Sequence, residues 1–390
     1  MPSRRTVFLA VALCDVAMMV LAIGINLVPT FLTTLAGDLG GAAELTKEQL
    51  GRIGAFTFAG LVAGILVAGP LADRLGGRAF AIAGNVLVAA GLIVLATAPT
   101  YEVILAGSFV MGLGAGALDM VLSPIVSALQ PERRTVSMNL LHSFYCTGAV
   151  LTILTVAVAL RAGLGWRPAA WGLVPLPLVI AVGFAFTPLP PLVEPGQVRV
   201  RARSLVRERF FLVTLVAIFL GGATELAMQY WLAAYAEQTL GYSRWVGGMA
   251  LLGFSLAMAV GRLAIALLPH RVGPIALMLG CCAASAGLFV VASFAPWNAV
   301  ALAACVLAGL TGSCLWPSTL AVAADRYPHG GATMFAMLAA AGNLGGILMP
   351  WATGLIADAS NLRWGLVTAA LCPALMIVAL LWMRRHGARK

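Results

Sequence analysis

Charged residues are scarce in this chain. Asp, Glu, Lys and Arg make up 10% of its 390 residues, whereas hydrophobic residues make up 61%. The mean hydropathy is +0.99. A soluble domain of this length could bury a large core, but it could not cover this much apolar surface with so few charges. The composition therefore excludes a soluble protein and makes the lipid bilayer the expected solvent.

Motifs for catalysis and for metal binding are also absent from the sequence. It contains no HExxH zinc motif, no CxxC pair and no G-x-x-x-x-G-K phosphate loop. The seven cysteines fall in apolar segments, and none is spaced with histidine as a metal ligand. No polar segment is long enough for a soluble catalytic domain. We therefore expect no enzyme activity, no cofactor and no metal, and a membrane enzyme or other non-transport membrane protein is the weaker alternative.

Apolar segments long enough to cross a bilayer recur twelve times. A spanning helix needs about 20 predominantly apolar residues. The predicted spans are 6–36, 47–71, 79–98, 101–129, 136–162 and 168–187, then 209–238, 243–268, 273–294, 297–324, 330–357 and 363–383. The sequence predicts an all-α polytopic membrane protein with two six-helix bundles, 1–187 and 209–390, joined by a basic linker at 188–208.

The net charge of +10 is spread over the ends of the predicted spans rather than gathered on one surface. This pattern disfavours nucleic-acid binding and suits the excess of arginine and lysine that short cytoplasmic loops carry. With the N-terminus inside, the inner loops receive most of the basic residues, including the arginine cluster at 199–209. We therefore expect an integral protein of the plasma (bacterial inner) membrane with both termini in the cytoplasm.

A polar loop lies between the second and third predicted spans. It covers 69–78, and its sequence is GPLADRLGGR. Two consecutive glycines, Gly76 and Gly77, allow a turn that needs positive φ. The residue order resembles the signature loop G-x-L-a-D-r-x-G-r-r of the major facilitator superfamily. This resemblance implies a secondary transporter whose conformational gate contains Gly69, Asp73, Arg74, Gly76 and Arg78.

The two halves of the chain show weak similarity in a common order. Segment 72–76 corresponds to 269–273, Gly112 to Gly309, and Gly148 to Gly345. Such an order is expected of two parallel six-helix repeats.

Three acidic residues fall inside predicted spans: Asp15, Asp119 and Glu225. A charge at mid-membrane costs about 2.5–3.5 kcal/mol on insertion scales, so such residues usually face a cavity or a partner. Asp119 shares one helical stripe with Gly112 and Gly116, which would let another helix approach closely. An acid that is neutral in one state and ionised in another is what proton coupling requires. Asp119 is therefore the first coupling candidate, with a protonated structural acid as the alternative, and the role of Asp15 stays open.

Glu225 in the seventh predicted span shares a face with Gln229, and two tyrosines and Trp231 follow within three turns. Carboxylate, amide and aromatic rings together suit a polyol, although the rings alone also fit an interfacial aromatic belt. Arg262 also falls inside a span. Its long stem can reach the inner surface, where we expect it to pair with an acid such as Asp325.

The fifth predicted span opens with polar residues on one face. Asn139 and His142 share that face, and Tyr145 is adjacent to it. A histidine there can donate, accept or carry a proton near neutral pH, and a structural hydrogen bond is the alternative role.

The tenth and eleventh predicted spans supply further candidates. Trp316 with Pro317 combines an aromatic ring with a helix break, and Asn343 supplies a buried amide. In the register of the repeat, Trp316 takes the position of Asp119. The predicted cavity therefore has an acid on one wall and an indole on the other.

These motifs resemble the fucose permease branch of the superfamily. Segment 118–124 (LDMVLSP), followed by 139–144 (NLLHSF), is similar to that branch's L-E-x-x-x-N-P and N-L-x-Q-x-F-x-x-x-G. The resemblance implies that Asp119 takes the place of a protonatable glutamate. It also implies that His142 and Tyr145 take the places of substrate-binding amides. The branch's aspartate in the first helix has no clear counterpart, and Asn26 lies nearby.

We therefore expect a secondary active transporter that moves a small polar solute, with a sugar as the expected solute, by proton-coupled symport with alternating access. The expected proton-coupling residues are Asp119, Glu225 and His142. The expected substrate-binding residues are Asn26, Asn139, His142, Tyr145, Glu225, Gln229, Trp231, Trp316 and Asn343. Its partners are the solute, protons and the bilayer, and we expect a monomer. A drug/proton antiporter is the alternative, because it would share the fold and the acids, although the fifth span lacks the G-x-x-x-G-P-x-x-G-G run of that branch.

Overall fold

The computed structural model describes residues 4–39, 45–130, 134–190, 202–267, 273–327 and 330–387. Within these ranges all regular secondary structure is helical. The helices are α1 (Arg4–Thr30), α2 (Leu32–Leu39), α3 (Lys47–Leu75), α4 (Gly77–Thr97), α5 (Tyr101–Leu129), α6 (Arg134–Arg161), α7 (Trp166–Leu173), α8 (Pro175–Phe186), α9 (Ala202–Leu205), α10 (Arg209–Gln238), α11 (Arg244–Leu267), α12 (Pro274–Phe294), α13 (Asn298–Gly312), α14 (Leu315–Arg326), α15 (Gly331–Ala359), α16 (Leu362–Thr368) and α17 (Leu371–Gly387).

Among the described residues, twelve helical segments are long and apolar enough to cross a membrane. Three of these segments consist of two consecutive helices: α7 with α8, α13 with α14, and α16 with α17. The protein is therefore an integral membrane protein, and the predicted all-α polytopic fold class is confirmed.

Proline explains where the three divided segments break. A proline has no N–H group to donate to the carbonyl four residues earlier, and its ring crowds that carbonyl. The residues four positions before Pro177, Pro317 and Pro373 are Leu173, Ser313 and Ala369, and each lies at the end of the preceding helix or in the break itself. The helix break predicted at Trp316 and Pro317 therefore occurs one turn earlier.

The chain divides into two compact units. The first unit consists of Met1–Leu39 and Phe56–Val198, and the second consists of Gly40–Ala55 and Arg199–Lys390. The first residues of α3 are thus grouped with the second unit. Residues 191–201 of the predicted basic linker lie outside the described residues.

Glycines bring helix backbones together in the same way within each unit. In the first unit, a Cβ added at Gly112 on α5 would collide with the carbonyl oxygen of Thr57 on α3. In the second unit, a Cβ at Gly309 on α13 would collide with the carbonyl oxygen of Phe254 on α11. The same offset along the chain separates the two glycines and the two partners. The internal repeat inferred from the sequence is therefore also a repeat of helix packing.

Candidate functional site

The two acids of the first unit have different environments. Asp119 lies in α5, and its side chain is partly buried, one turn beyond the glycines that pack against α3. Asp15 lies in α1 and is 4% exposed, and no described residue bonds to its Oδ1 atom. Asp119 is therefore the more exposed of the two residues.

An ion pair lies within the second unit, between α10 and α11. A terminal guanidinium nitrogen of Arg262 lies 3.5 Å from Oε1 of Glu225, and the two side chains are 31% and 10% exposed. Glu225 is near the middle of α10, so the long side chain of Arg262 reaches into the span. The expected pairing of Arg262 with Asp325 is therefore wrong, because the mid-span carboxylate is the partner that lowers the cost of its charge.

Glycine contacts join three helices of the second unit, α10, α14 and α15, into a wall near Glu225. A Cβ at Gly222, one turn before Glu225 on α10, would collide with the carbonyl oxygen of Gly342 on α15. A Cβ at Gly342 would in turn collide with the indole ring of Trp316, at the start of α14. The three helices are therefore in close contact, and Glu225 lies one turn beyond that contact on α10.

Three of the predicted amides, Asn26, Gln229 and Asn343, are buried. Asn26 is fully buried and its side chain donates 2.9 Å to the carbonyl of Ala22, one turn earlier in α1. Asn343 makes the same 2.9 Å bond to Ala339 in α15. Gln229 is 3% exposed. Asn26 and Asn343 thus each donate one bond within their own helix, and their predicted role in substrate binding stays a prediction.

The aromatic residues after Glu225 are bonded to neighbouring backbone within the second unit. Trp231 is fully buried, and its Nε1 donates 2.9 Å to the carbonyl of Pro350 on α15. The hydroxyls of Tyr230 and Tyr235 donate 2.6 Å to the carbonyls of Leu50 and Ala292. These rings connect helices, and Tyr235 is buried rather than part of an exposed belt.

The remaining candidates of the first unit lie on α6. His142 is exposed and Tyr145 is partly buried. The side chain of Asn139 lies outside the described residues. In the register of the repeat, Tyr145 corresponds to Gly342, whose neighbour Trp316 corresponds to Asp119.

The predicted gate loop joins α3 to α4. Gly76 has φ 84° and precedes α4, as predicted, whereas Gly77 is already the first helical residue and has no positive φ. The guanidinium of Arg78 donates 3.0 Å to the carbonyl of Phe184 on α8. Gly69 lies near Met120 on α5. The side chains of Asp73 and Arg74 lie outside the described residues.

The structure adds a cluster that the sequence did not indicate, which we name the α3 cap: Lys47, Glu48, Trp351 and Asp358. The carboxylate of Asp358 accepts hydrogen bonds of 2.7 Å from the backbone N–H groups of Lys47 and Glu48. The indole of Trp351 donates to Glu48. All four residues belong to the second unit. These partners are about 300 positions apart in the sequence, so no local pattern could have indicated the contact.

No group of three or more His, Cys, Asp or Glu among the described residues could hold a metal ion.

The chain is similar to two proteins whose names indicate different substrates. The chain is 29% identical over 319 residues to the probable nitrate/nitrite transporter NarK2 of Mycobacterium tuberculosis (strain CDC 1551 / Oshkosh), covering 76% of each protein. It is also 29% identical over 238 residues to the multidrug resistance protein MdtL of Shigella flexneri serotype 5b, covering 60% of this chain and 59% of that protein.

Solved structures share the fold over almost the whole chain. A D-xylose-proton symporter matches with a TM-score of 0.77 at 15% identity, covering 96% of this chain and 97% of that one. The Escherichia coli fucose:proton symporter FucP matches with a TM-score of 0.64 at 20% identity, covering 97% and 99%. The family model of the Major Facilitator Superfamily matches residues 14–307 and 246–390. The sequence motifs, the twelve spans and these matches agree, and the chain belongs to the Major Facilitator Superfamily of membrane transporters.

Proposed function

We propose that this transporter is a proton-coupled symporter in which Asp119 carries the coupling proton. The observation that carries the proposal is the partly buried position of the Asp119 carboxyl within a membrane-spanning helix. Ionisable groups inside spans usually face a cavity or the interior of the helix bundle, and they mark ion and proton pathways. Asp119 is less buried than Asp15, which is 4% exposed, so it is the better placed of the two to exchange a proton.

The proposed solute is small and polar, and a sugar is the starting hypothesis. The sugar symporters among the structural neighbours support this choice. Trp316 offers a ring for stacking, and Glu225 offers a carboxylate for hydroxyl groups on the same wall. His142 and Tyr145 are the corresponding candidates of the first unit, with Asn139 beside them.

The proposed topology places both termini in the cytoplasm of a bacterial inner-membrane protein that acts as a monomer. Two bundles, 1–187 and 209–390, would alternate access to the solute, with the loop at 69–78 and the linker at 188–208 on the cytoplasmic side. The excess of basic residues in the predicted inner loops supports this orientation.

The test of the coupling proposal is Asp119→Asn in proteoliposomes. We expect the variant to lose uphill, pH-driven uptake of labelled solute but to retain solute-for-solute exchange. Exchange needs only the loaded carrier to reorient, and the amide mimics the protonated acid. The control is Glu102→Gln, because Glu102 is exposed in the first turn of α5. Uphill uptake at the wild-type rate by Asp119→Asn would exclude this role.

A drug/proton antiporter is a second candidate, because MdtL is among the relatives. It would move a lipophilic cation outwards as protons enter. A thermal-stability screen of hexoses, pentoses, monocarboxylates and lipophilic cations separates the two functions. A ligand at 100 times its Kd stabilises the folded protein by about 2.7 kcal/mol. Stabilisation by lipophilic cations alone would favour the antiporter.

A further inference from the structure

The contact between Glu225 and Arg262 is an incomplete ion pair. Its 3.5 Å separation exceeds the roughly 2.7–2.9 Å of a charge-assisted hydrogen bond. Oε2 of Glu225 and Nε of Arg262 are buried, and no described residue offers either atom a hydrogen bond. The Arg262 side chain nevertheless keeps 31% of its surface exposed. Nε of Arg262 is therefore a donor without a partner among the described residues, on a side chain that is partly exposed.

We propose that Arg262 binds the carboxylate of an anionic solute, which replaces Glu225 as the partner of the guanidinium when Glu225 takes up a proton. The inference rests on the proposed proton-coupled transport and narrows its substrate. The proposed solute is then a small carboxylate. A sugar acid is the carboxylate that would also bind the groups proposed above for hydroxyl recognition.

Charge balance inside the membrane is the physical reason. When Glu225 is ionised and Arg262 is cationic, the pair is neutral. A proton on Glu225 alone leaves a net positive charge, and an anion on Arg262 alone leaves a net negative charge. A proton and a monoanion together restore neutrality. Because an uncompensated charge is strongly disfavoured away from water, the pair takes up one proton with each anion, in addition to the proton that Asp119 is proposed to carry, and a neutral sugar does not satisfy it.

Other charges on the surrounding elements lie at the ends of the helices. Elements α13 to α17 pack against α10 or α11, and α3 does so through the Leu50–Tyr230 bond. For α3, only the segment up to Arg52 is considered. Besides Glu225 and Arg262, the charged or titratable basic and acidic side chains on these elements are Lys47, Glu48, Arg52, Arg209, Glu237, Arg244, Asp325, Arg326, Asp358, Arg363, Arg384, Arg385 and His386. The other titratable groups on these elements are the phenols of Tyr230 and Tyr235 and the thiols of Cys305, Cys314 and Cys372. Among the described residues, Arg262 is therefore the charge that faces Glu225.

The test compares ligands that differ in one carboxylate. Purified full-length protein is assayed by thermal shift with D-glucuronate, D-gluconate and L-lactate and with neutral D-glucose and sorbitol, across a pH range of about 5 to 8. We expect at least one carboxylate to stabilise the protein, with a Kd that rises about tenfold per pH unit once Glu225 is ionised, because one proton is linked to one anion. The neutral sugars should not stabilise it.

Two substitutions make the prediction specific. Glu225→Gln imitates the protonated acid, so carboxylate binding should become tighter at neutral pH and independent of pH. Arg262→Gln should abolish carboxylate binding. The double variant E225Q/R262Q removes both charges and so leaves no buried charge unpaired, and it should fold and still bind no carboxylate.

Several results would overturn the inference: stabilisation by neutral sugars equal to that by sugar acids, no stabilisation by any carboxylate, or carboxylate binding that survives Arg262→Gln. Binding in detergent does not depend on coupling. Carboxylate binding without uphill uptake in proteoliposomes would therefore contradict the proposed symport while supporting the anion site.

Discussion

At the scale of single residues, chemically identical side chains have different roles because their burial and bonding differ. Trp231 is fully buried and bonded to the backbone of α15, whereas Trp316 is partly buried with its ring against Gly342. The sequence identified both as polar-tipped aromatic residues inside spans. The sequence could not assign them different roles, because the carbonyl group that accepts the hydrogen bond of the Trp231 indole is 119 positions away.

The two tryptophans should therefore respond differently to substitution. Trp231→Phe should lower the thermal stability by about 0.5–1.5 kcal/mol, the net contribution of one hydrogen bond, and leave the KM for solute unchanged. Trp316→Phe should raise the KM with little loss of stability. Thermal unfolding and initial uptake rates measure the two effects. A stability loss for Trp316→Phe with an unchanged KM would show that this ring is a packing residue as well.

The same limit applies to the buried amides. The sequence located Asn26 and Asn343 inside spans and suggested that they bind substrate. Their side chains bond to carbonyls one turn earlier in their own helices. The hydrogen-bonding groups of a polar residue in a span need partners. The sequence does not show whether a ligand or the residue's own helix provides them.

At the scale of helices, hydropathy predicted the positions of the spans, whereas contacts between distant parts of the chain determine how a helix end is held. The second span was predicted at 47–71, and α3 covers Lys47–Leu75. Its attachment at the N-terminal end was not predictable, because the α3 cap joins residues about 300 positions apart. The first N–H groups of a helix have no partner within the helix, and Asp358 supplies one from another helix.

Asp358→Ala should therefore loosen the start of α3. Loss of an N-terminal cap costs about 0.5–2 kcal/mol, so we expect the amides of Lys47 and Glu48 to exchange hydrogen about twofold to about thirtyfold faster. Hydrogen exchange with mass spectrometry measures this directly. Asp325→Ala is the matched control, because Asp325 is an exposed aspartate in the last turn of α14. Equal exchange in wild type and Asp358→Ala would show that the cap contributes no local stability.

At the scale of the whole molecule, the sequence was most informative where many residues act together. Composition determined the membrane class, the apolar segments gave the twelve spans, and the glycine register anticipated equivalent packing in the two units. It was least informative about Arg262. The partner of Arg262 depends on how far one flexible side chain reaches between two helices, and no pattern in the sequence indicates that reach. The pair has no counterpart in the first half, where Val28 and Ile65 occupy the corresponding positions.

The most direct test of proton-coupled symport is the pH of a weakly buffered medium when solute is added to proteoliposomes without an imposed gradient. The solute is the one that most stabilises the purified protein. Symport predicts that the medium becomes more alkaline as protons enter with the solute, and that Asp119→Asn abolishes this change. Solute entry without a pH change, or with acidification, would contradict the account.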